Sequence, residues 1–224
     1  MKKINNVLIA CEESQVVCEE FRKLGVKSFS CDIQECSGGH PEWHILGDVL
    51  PLIDGRCEFK TMDGSTHIIS GKWDLLIAHP PCTYLSNAAA ARLFPNKSLD
   101  FERYTKGLAA KDFFMTFYNA DCDHICIENP VPSRIYSLPK YTQIVNPFEF
   151  GEPYKKRTCL WLKGLYPLQP TLIVNNSISC MASQWFNSGS GFERQKNRSK
   201  TFNGIAAAMA SQWSCFKYNQ LSFL

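Results

Sequence analysis

Short apolar runs without alternation constrain this chain more than any other feature. Residues 7–10 read VLIA, Leu75–Ala78 read LLIA, and residues 124–128 read HICIE. A half-covered strand alternates apolar and polar residues. A strand of a parallel sheet is covered on both faces and does not. Helical patterns fall between these runs. Residues 14–25 (SQVVCEEFRKLG) predict a helix capped by Ser14, with Val17, Phe21 and Leu24 on one face and Gly25 as its stop. Residues 98–120 predict a long helix with Ser98 as its cap, and 201–213 (TFNGIAAAMASQW) a closing helix. Strands are also expected at 26–32 and 73–78, and just before the GDVL segment at 47–50. Residues 155–164 (KKRTCLWLKG) alternate more and predict an antiparallel strand near an edge. Residues 54–71 read as a surface hairpin or loop, and 187–200 as a glycine-rich, then basic, mobile segment. Strand and helix in alternation predict a doubly wound α/β sheet in one domain spanning 1–224.

The chain holds 224 residues with 45% apolar side chains, enough for one sizeable core. A net charge of +3 neither requires nor excludes a nucleic-acid partner. Eleven cysteines are scattered, odd in number and without a framework, which reads as reduced thiols in a cytosolic protein. The opening MKKINNVLIAC resembles a lipoprotein leader. Its apolar core is too short and Asn5 and Asn6 interrupt the approach, so it reads as a first strand. No window approaches the ~18 apolar residues of a membrane span. No internal repeat is present.

Polar groups end these runs. Pro80 and Pro81 follow the LLIA strand directly, fix their own φ and donate no backbone hydrogen bond. They hold Cys82 just past the carboxyl end of a strand, where ligands bind in open α/β sheets. Asp32, Asp48 and Glu128 are expected at other ends on the same edge. An acid after the second strand suits a ribose diol. A thiol beside a carboxyl that can carry a proton suits covalent catalysis.

With these residues in place, the chain resembles the cytosine-5 DNA methyltransferases. DLLIAHPPCTYLS is similar to their Pro-Pro-Cys motif, CIENP to their Glu-Asn motif and GDVL to their Gly-Asp motif. SCDIQ stands where their ribose-binding acid falls. KKRTCLWL resembles their late arginine-bearing strand, and TFNGIAAAMA the start of their closing helix. The order along the chain is the family's, and the likeness covers most of it. It is nearest to small methyltransferase-like proteins carried by bacteriophages.

The resemblance implies a class I S-adenosylmethionine-dependent methyltransferase fold, Rossmann-like, mostly parallel with an antiparallel edge strand. It implies methyl transfer to C5 of cytosine in DNA, in the cytoplasm of a bacterial host. Cys82 is implied as the nucleophile at C6, Glu128 as the partner of N3, and Arg157 as support for the flipped base. Cofactor contacts are implied at Cys11, Glu12, Asp32, Ile33, Asp48, Val49, Pro80 and Asn203. Asp32 would serve the ribose and Asp48 the adenine amine.

The chain departs from the family in several places. The first loop reads IACEESQ without glycine, which sets Glu12 near the methionine end of the cofactor. Thr83 stands where glutamine is usual, and His79 where glycine is. Residues 163–200 replace a whole target-recognition domain, so few side chains can reach base edges. Each good base contact discriminates by only roughly 1–3 kcal/mol, so low sequence specificity is expected. Ser86, Arg194, Lys196, Arg198 and Lys200 are the expected nucleic-acid contacts, the basic ones to phosphates.

Two readings keep the fold and change the role: an enzyme acting on single-stranded nucleic acid or a cytidine nucleotide, and a non-catalytic protein binding a nucleotide, nucleic acid or host protein. Amino-methyltransferases place an aromatic residue where Cys82 stands. Cys31, Cys36, His40 and His44 have spacings close to a zinc knuckle, but Cys31 lies in the strand that carries Asp32. No metal is expected, and the loop is read as lying over adenosine or substrate.

Overall fold

A computed structural model describes residues 2–174, 191 and 199–216. Seven strands form the central sheet: β1 (Asn6–Ala10), β2 (Lys27–Asp32), β3 (His44–Leu46), β4 (Leu75–Ala78), β5 (Ile125–Pro130), β6 (Gln143–Val145) and β7 (Thr158–Lys163). Their order across the sheet is β3-β2-β1-β4-β5-β7-β6. β1 to β5 pair in parallel, and β7 runs against both β5 and β6. This is the class I methyltransferase arrangement, a Rossmann-like sheet with its antiparallel pairing at one edge.

The unalternating runs have a direct cause. Leu8, Ala10, Leu76, Ala78 and Ile127 point to one face, with Phe114, Phe117 and Trp161. Val7, Ile9, Leu75, Ile77 and Cys126 point to the other, with Val17, Phe21, Ile205, Met209 and Trp213. Helix α2 (Phe101–Tyr118) covers the first face; α1 (Val16–Lys23) and α3 (Asn203–Trp213) cover the second. A hairpin, Cys57–Lys60 with Thr66–Ile69, extends the first core by packing Phe59 against Phe29 and Trp73. The 54–71 segment is thus partly core rather than wholly surface.

Several boundaries differ from the sequence expectation. Ser14 does not cap α1, and Leu24 lies past its last turn, 49% exposed. Asp100, not Ser98, caps α2 by accepting from the Arg103 amide at 2.9 Å. The strand expected from residue 73 begins at Leu75, with Trp73 buried before it. β5 continues through Asn129 and Pro130 instead of breaking at NPVP, because Thr158 and Cys159 of β7 pair with them. β7 is continuously buried over its first four residues, since it lies between two strands. β6 was not expected from the pattern at all. The segment expected to be mobile falls largely outside the described residues.

The chain approaches itself most closely where α3 starts. A Cβ added at Gly204 would stand 1.9 Å from the Phe150 carbonyl oxygen. Backbone cannot yield as a side-chain end does, so Gly204→Ala is expected to destabilise by about 1–3 kcal/mol. A lowered urea midpoint with unchanged slope is the expected readout; an unchanged midpoint would mean α3 is not held against that carbonyl.

Candidate active site

The register of β4 with β5 builds the centre of the site. Ala78 pairs with Ile127, so His79 leaves the sheet beside Glu128 and Pro80 beside Asn129. The Glu128 Oε2 lies 3.1 Å from His79 Nδ1, and both side chains are almost wholly buried, at 12% and 8% exposure. Asn129 is buried and donates from Nδ2 to the Pro80 carbonyl at 2.8 Å. That bond, with two fixed prolines, sets the direction in which the chain reaches Cys82.

Cys82 is exposed. Its carbonyl accepts from the Ser86 amide at 3.1 Å, closing a turn over 82–86. α2 holds this turn from outside: the Arg103 guanidinium donates to the Thr83 carbonyl at 3.2 Å and lies 5.0 Å from the Tyr84 ring centre. Ser86 bridges to Pro132, and the Ser133 amide donates to the Leu85 carbonyl. Cys82 is therefore an exposed residue on a turn fixed at both ends.

Burial alone would neutralise both members of the His79–Glu128 pair. Mutual attraction outweighs it. The bond to Glu128, with the charges of Glu128 and Glu12, raises His79 above the ordinary imidazole value. The bond to His79 and the charge of Lys156 hold Glu128 below the ordinary carboxyl value. Both shifts favour imidazolium with carboxylate over two neutral groups. Lys156 lies just before β7, 5.4 Å from the Phe202 ring centre. Arg157 beside it is exposed, and its charge acts on the Cys159 thiol. Lys156 rather than Arg157 is the cation that acts on the buried pair.

A second group gathers at the ends of β1, β2 and β3. Asp32 is half-buried, accepts from the Gln34 amide at 2.9 Å, and is raised by burial. Asp48 is exposed and accepts from the Leu50 amide at 3.0 Å. Cys11 lies within the fields of both. Burial pushes its thiol far up, and Asp32, Cys31 and Asp48 add to the shift. Ile33 is 80% exposed beside Asp32, whereas Val49 is buried. These residues do come together.

The glycine-free first loop turns all the same. Cys11 and Gln15 adopt left-handed φ of 59° and 61°, which costs a non-glycine residue about 1–2 kcal/mol. Glu12 is buried and caps α1: its carboxylate accepts from the Val17 amide at 2.7 Å and the Cys18 amide at 3.2 Å. Burying a carboxylate costs several kcal/mol. Two charge-assisted bonds of about 1.5–3 kcal/mol each, with the helix dipole, offset much of that. Burial still raises Glu12 above its ordinary value.

The loop over 34–43 is fastened to this cap. Gln15 donates to the His40 carbonyl at 2.8 Å and accepts from the His40 amide at 3.1 Å. His44 spends both ring nitrogens, on Ser30 at 2.8 Å and on the Gln34 carbonyl at 2.9 Å. Among the described residues no three His, Cys, Asp or Glu side chains are arranged to hold a metal. None of the described cysteines is in a disulfide. None of the described helices is long and apolar enough to cross a membrane.

Asn203 is exposed on the first turn of α3, where Glu152 accepts from the Gly204 amide at 3.4 Å. Lys200 is half-buried. Arg194, Lys196 and Arg198 lie outside the described residues. Two residues of the centre were missed as functional: His79, noted only as a replaced glycine, and Lys156. The sequence held no direct signal for His79, whose place beside Glu128 follows from the register of β4 with β5.

No family model matches the chain, and no curated protein does. A solved structure of a methyltransferase from Entamoeba histolytica is similar over 86% of this chain and 62% of its own length, at 12% identity and a TM-score of 0.38. This chain thus spans less than two thirds of that one. The fold assignment rests on strand order and register.

The pair makes stability depend on pH in a stated window. Glu128 is lowered in the fold, so its contribution is present above the ordinary carboxyl value of 4.5 and is lost as pH falls through the lowered one. His79 is raised, so its contribution is present below 6.5 and is lost as pH rises through the raised value. Glu128→Gln removes a charge-assisted bond of about 1.5–3 kcal/mol. Its deficit in thermal midpoint should peak between these values and shrink on both sides. A deficit independent of pH would mean the two groups are not an ion pair.

Proposed function

We propose that the protein transfers a methyl group from S-adenosylmethionine to C5 of cytosine in DNA. The single observation that carries the reading is the exposed Cys82 on a fixed Pro-Pro turn, which leaves the sheet where His79 stands beside the buried Glu128 of the neighbouring strand. Cytosine C5 is a weak nucleophile. Addition of the Cys82 sulfur at C6 makes C5 carbanion-like, and Glu128 stabilises the charge that develops at N3. A base then removes the C5 proton, the C6–S bond breaks, and the C5=C6 double bond returns. Within a duplex the base must first leave the stack.

The residues present fit the adenosine half of S-adenosylmethionine. Two acceptor carboxylates, Asp32 and Asp48, flank Cys11, with Ile33 exposed beside them. Asp32 accepts from the ribose hydroxyls and Asp48 from the adenine amine. When bound, the cofactor supplies an electrophilic methyl group. The first amides of α1 already hold Glu12, so that carboxylate of the chain would face the other end of the cofactor. Arg103, by fixing Thr83 and Tyr84, keeps the thiol turn from collapsing onto the sheet edge.

Incubation with S-adenosylmethionine and DNA, RNA or cytidine nucleotides, followed by nucleoside mass spectrometry, tests the reaction. 5-Methylcytosine in DNA is expected. Cys82→Ser should abolish transfer, while Cys31→Ser and Cys126→Ser, both buried in the core, should retain it. Full transfer by Cys82→Ser would remove the covalent mechanism. Product only in RNA or nucleotides would change the substrate, and no product in any of them would favour a binding role.

Asp32→Ala should weaken binding of S-adenosylhomocysteine about ten-fold or more, as loss of a charged hydrogen-bond partner does. Calorimetry on both proteins reads this, and equal affinity would take Asp32 out of the cofactor site.

A further inference from the structure

His79 is the centre of a buried charge cluster. Its Nδ1 faces Glu128 of β5 at 3.1 Å. Glu12, from the loop between β1 and α1, and Lys156, from the approach to β7, also act on it electrostatically. The thiols of Cys126 and Cys159 lie within the field of Glu128. The other ring nitrogen, Nε2, is buried and has no hydrogen-bond partner among the described residues. An unpaired buried ring nitrogen costs free energy, and a histidine serving only to fill space gains nothing from it.

We propose that His79 is the positioning residue that stores, on its imidazole, the proton Glu128 hands to N3 of a pyrimidine ring. This rests on the cytosine reading above. An ionised Glu128 accepts hydrogen bonds but cannot donate one, whereas the charge that builds at N3 calls for a donor. The bond across β4 and β5 supplies it. As the ring seats and displaces water, the Nδ1–H bond of His79 breaks and an O–H bond forms on Glu128. The neutral carboxyl then gives that proton to N3 as the Cys82 sulfur, its own thiol proton released to water, bonds to C6 and the ring takes up the π-electron pair; the thiol regains a proton from water when the C6–S bond breaks. When the C6–S bond breaks, the N3 proton returns to Glu128 and then to His79. The pair gains and loses no proton over the cycle. His79 keeps its Nε2–H throughout.

His79→Asn separates positioning from storage. The Asn Nδ2–H can donate to Glu128 from nearly the place of Nδ1, but it has no proton to give up. The variant should fold, keep KM within about two-fold, and lose kcat by at least about ten-fold, the lower range of general-acid effects. Its alkaline limb should move to lower pH, because the proton then leaves an isolated carboxyl instead of a raised imidazolium. Exchange of the cytosine C5 hydrogen with solvent, measured without methyl donor, should fall in parallel. Nitrogen-15 NMR of the intact protein should find His79 still imidazolium above its ordinary value of 6.5, and neutral at lower pH in Glu128→Gln. Unchanged kcat and pH limb in His79→Asn, or a neutral His79 in the unaltered protein at pH 7, overturns the proton store and leaves the cytosine reading standing. Absence of both C5 exchange and methyl transfer in the unaltered protein overturns the cytosine reading, and delivery to N3 with it.

Discussion

Ala78 stands opposite Ile127; beyond that pair β4 leaves the sheet while β5 continues against β7. His79 and Glu128 must then share one dry space, as must Pro80 and Asn129. Neither carboxyl nor imidazole is stable there alone, because an unpaired charge of this kind costs several kcal/mol to bury. Together they fix one another, and the Asn129 amide bonded to the Pro80 carbonyl fixes the turn that follows. A one-residue slip of β4 against β5 would turn the buried pair apart and invert both core faces at once. Orientation of the exposed thiol thus depends on strand pairing at the centre of the sheet.

Groups of both signs meet at this point, Glu12 and Glu128 with His79 and Lys156, each from a different element, and burial raises Glu12 above its ordinary value. Glu12 has a second duty as the cap of α1. Its substitution would therefore disturb the helix terminus and the field at His79 together. Such shared duty explains how a loop without glycine persists with left-handed Cys11 and Gln15: Glu12 and the clamp of Gln15 on His40 determine the backbone on both sides.

The sheet was legible because burial on both faces leaves a plain mark, as in VLIA and LLIA. The closing helix was legible for the same reason, through IAAAMA. β6 was not, since Gln143–Val145 is three residues long and is a strand only because β7 pairs with it. The caps were misread because Ser14 and Ser98 have the right chemistry at nearly the right place, while a carboxylate a few residues away won each helix. The thiol and its carboxyl were legible as motifs. The histidine between them was not, because a replaced glycine says nothing about what the new side chain reaches until strand register is known.

Strand order also explains why the edge holds two groups rather than one. From β1 the chain runs outward to β2 and β3, then returns across to β4 and β5. Connections on the two sides of β1 lead in opposite directions, the arrangement at which open α/β sheets hold ligands. Cys11, Asp32 and Asp48 lie on the β2 and β3 side, and His79 and Glu128 on the β4 and β5 side. A donor and an acceptor of a transferred group can be held from opposite sides of such an arrangement without sharing a residue. Glu12 is tied to α1 and lies within the field of His79, so a change in its charge would be felt at the proton held there.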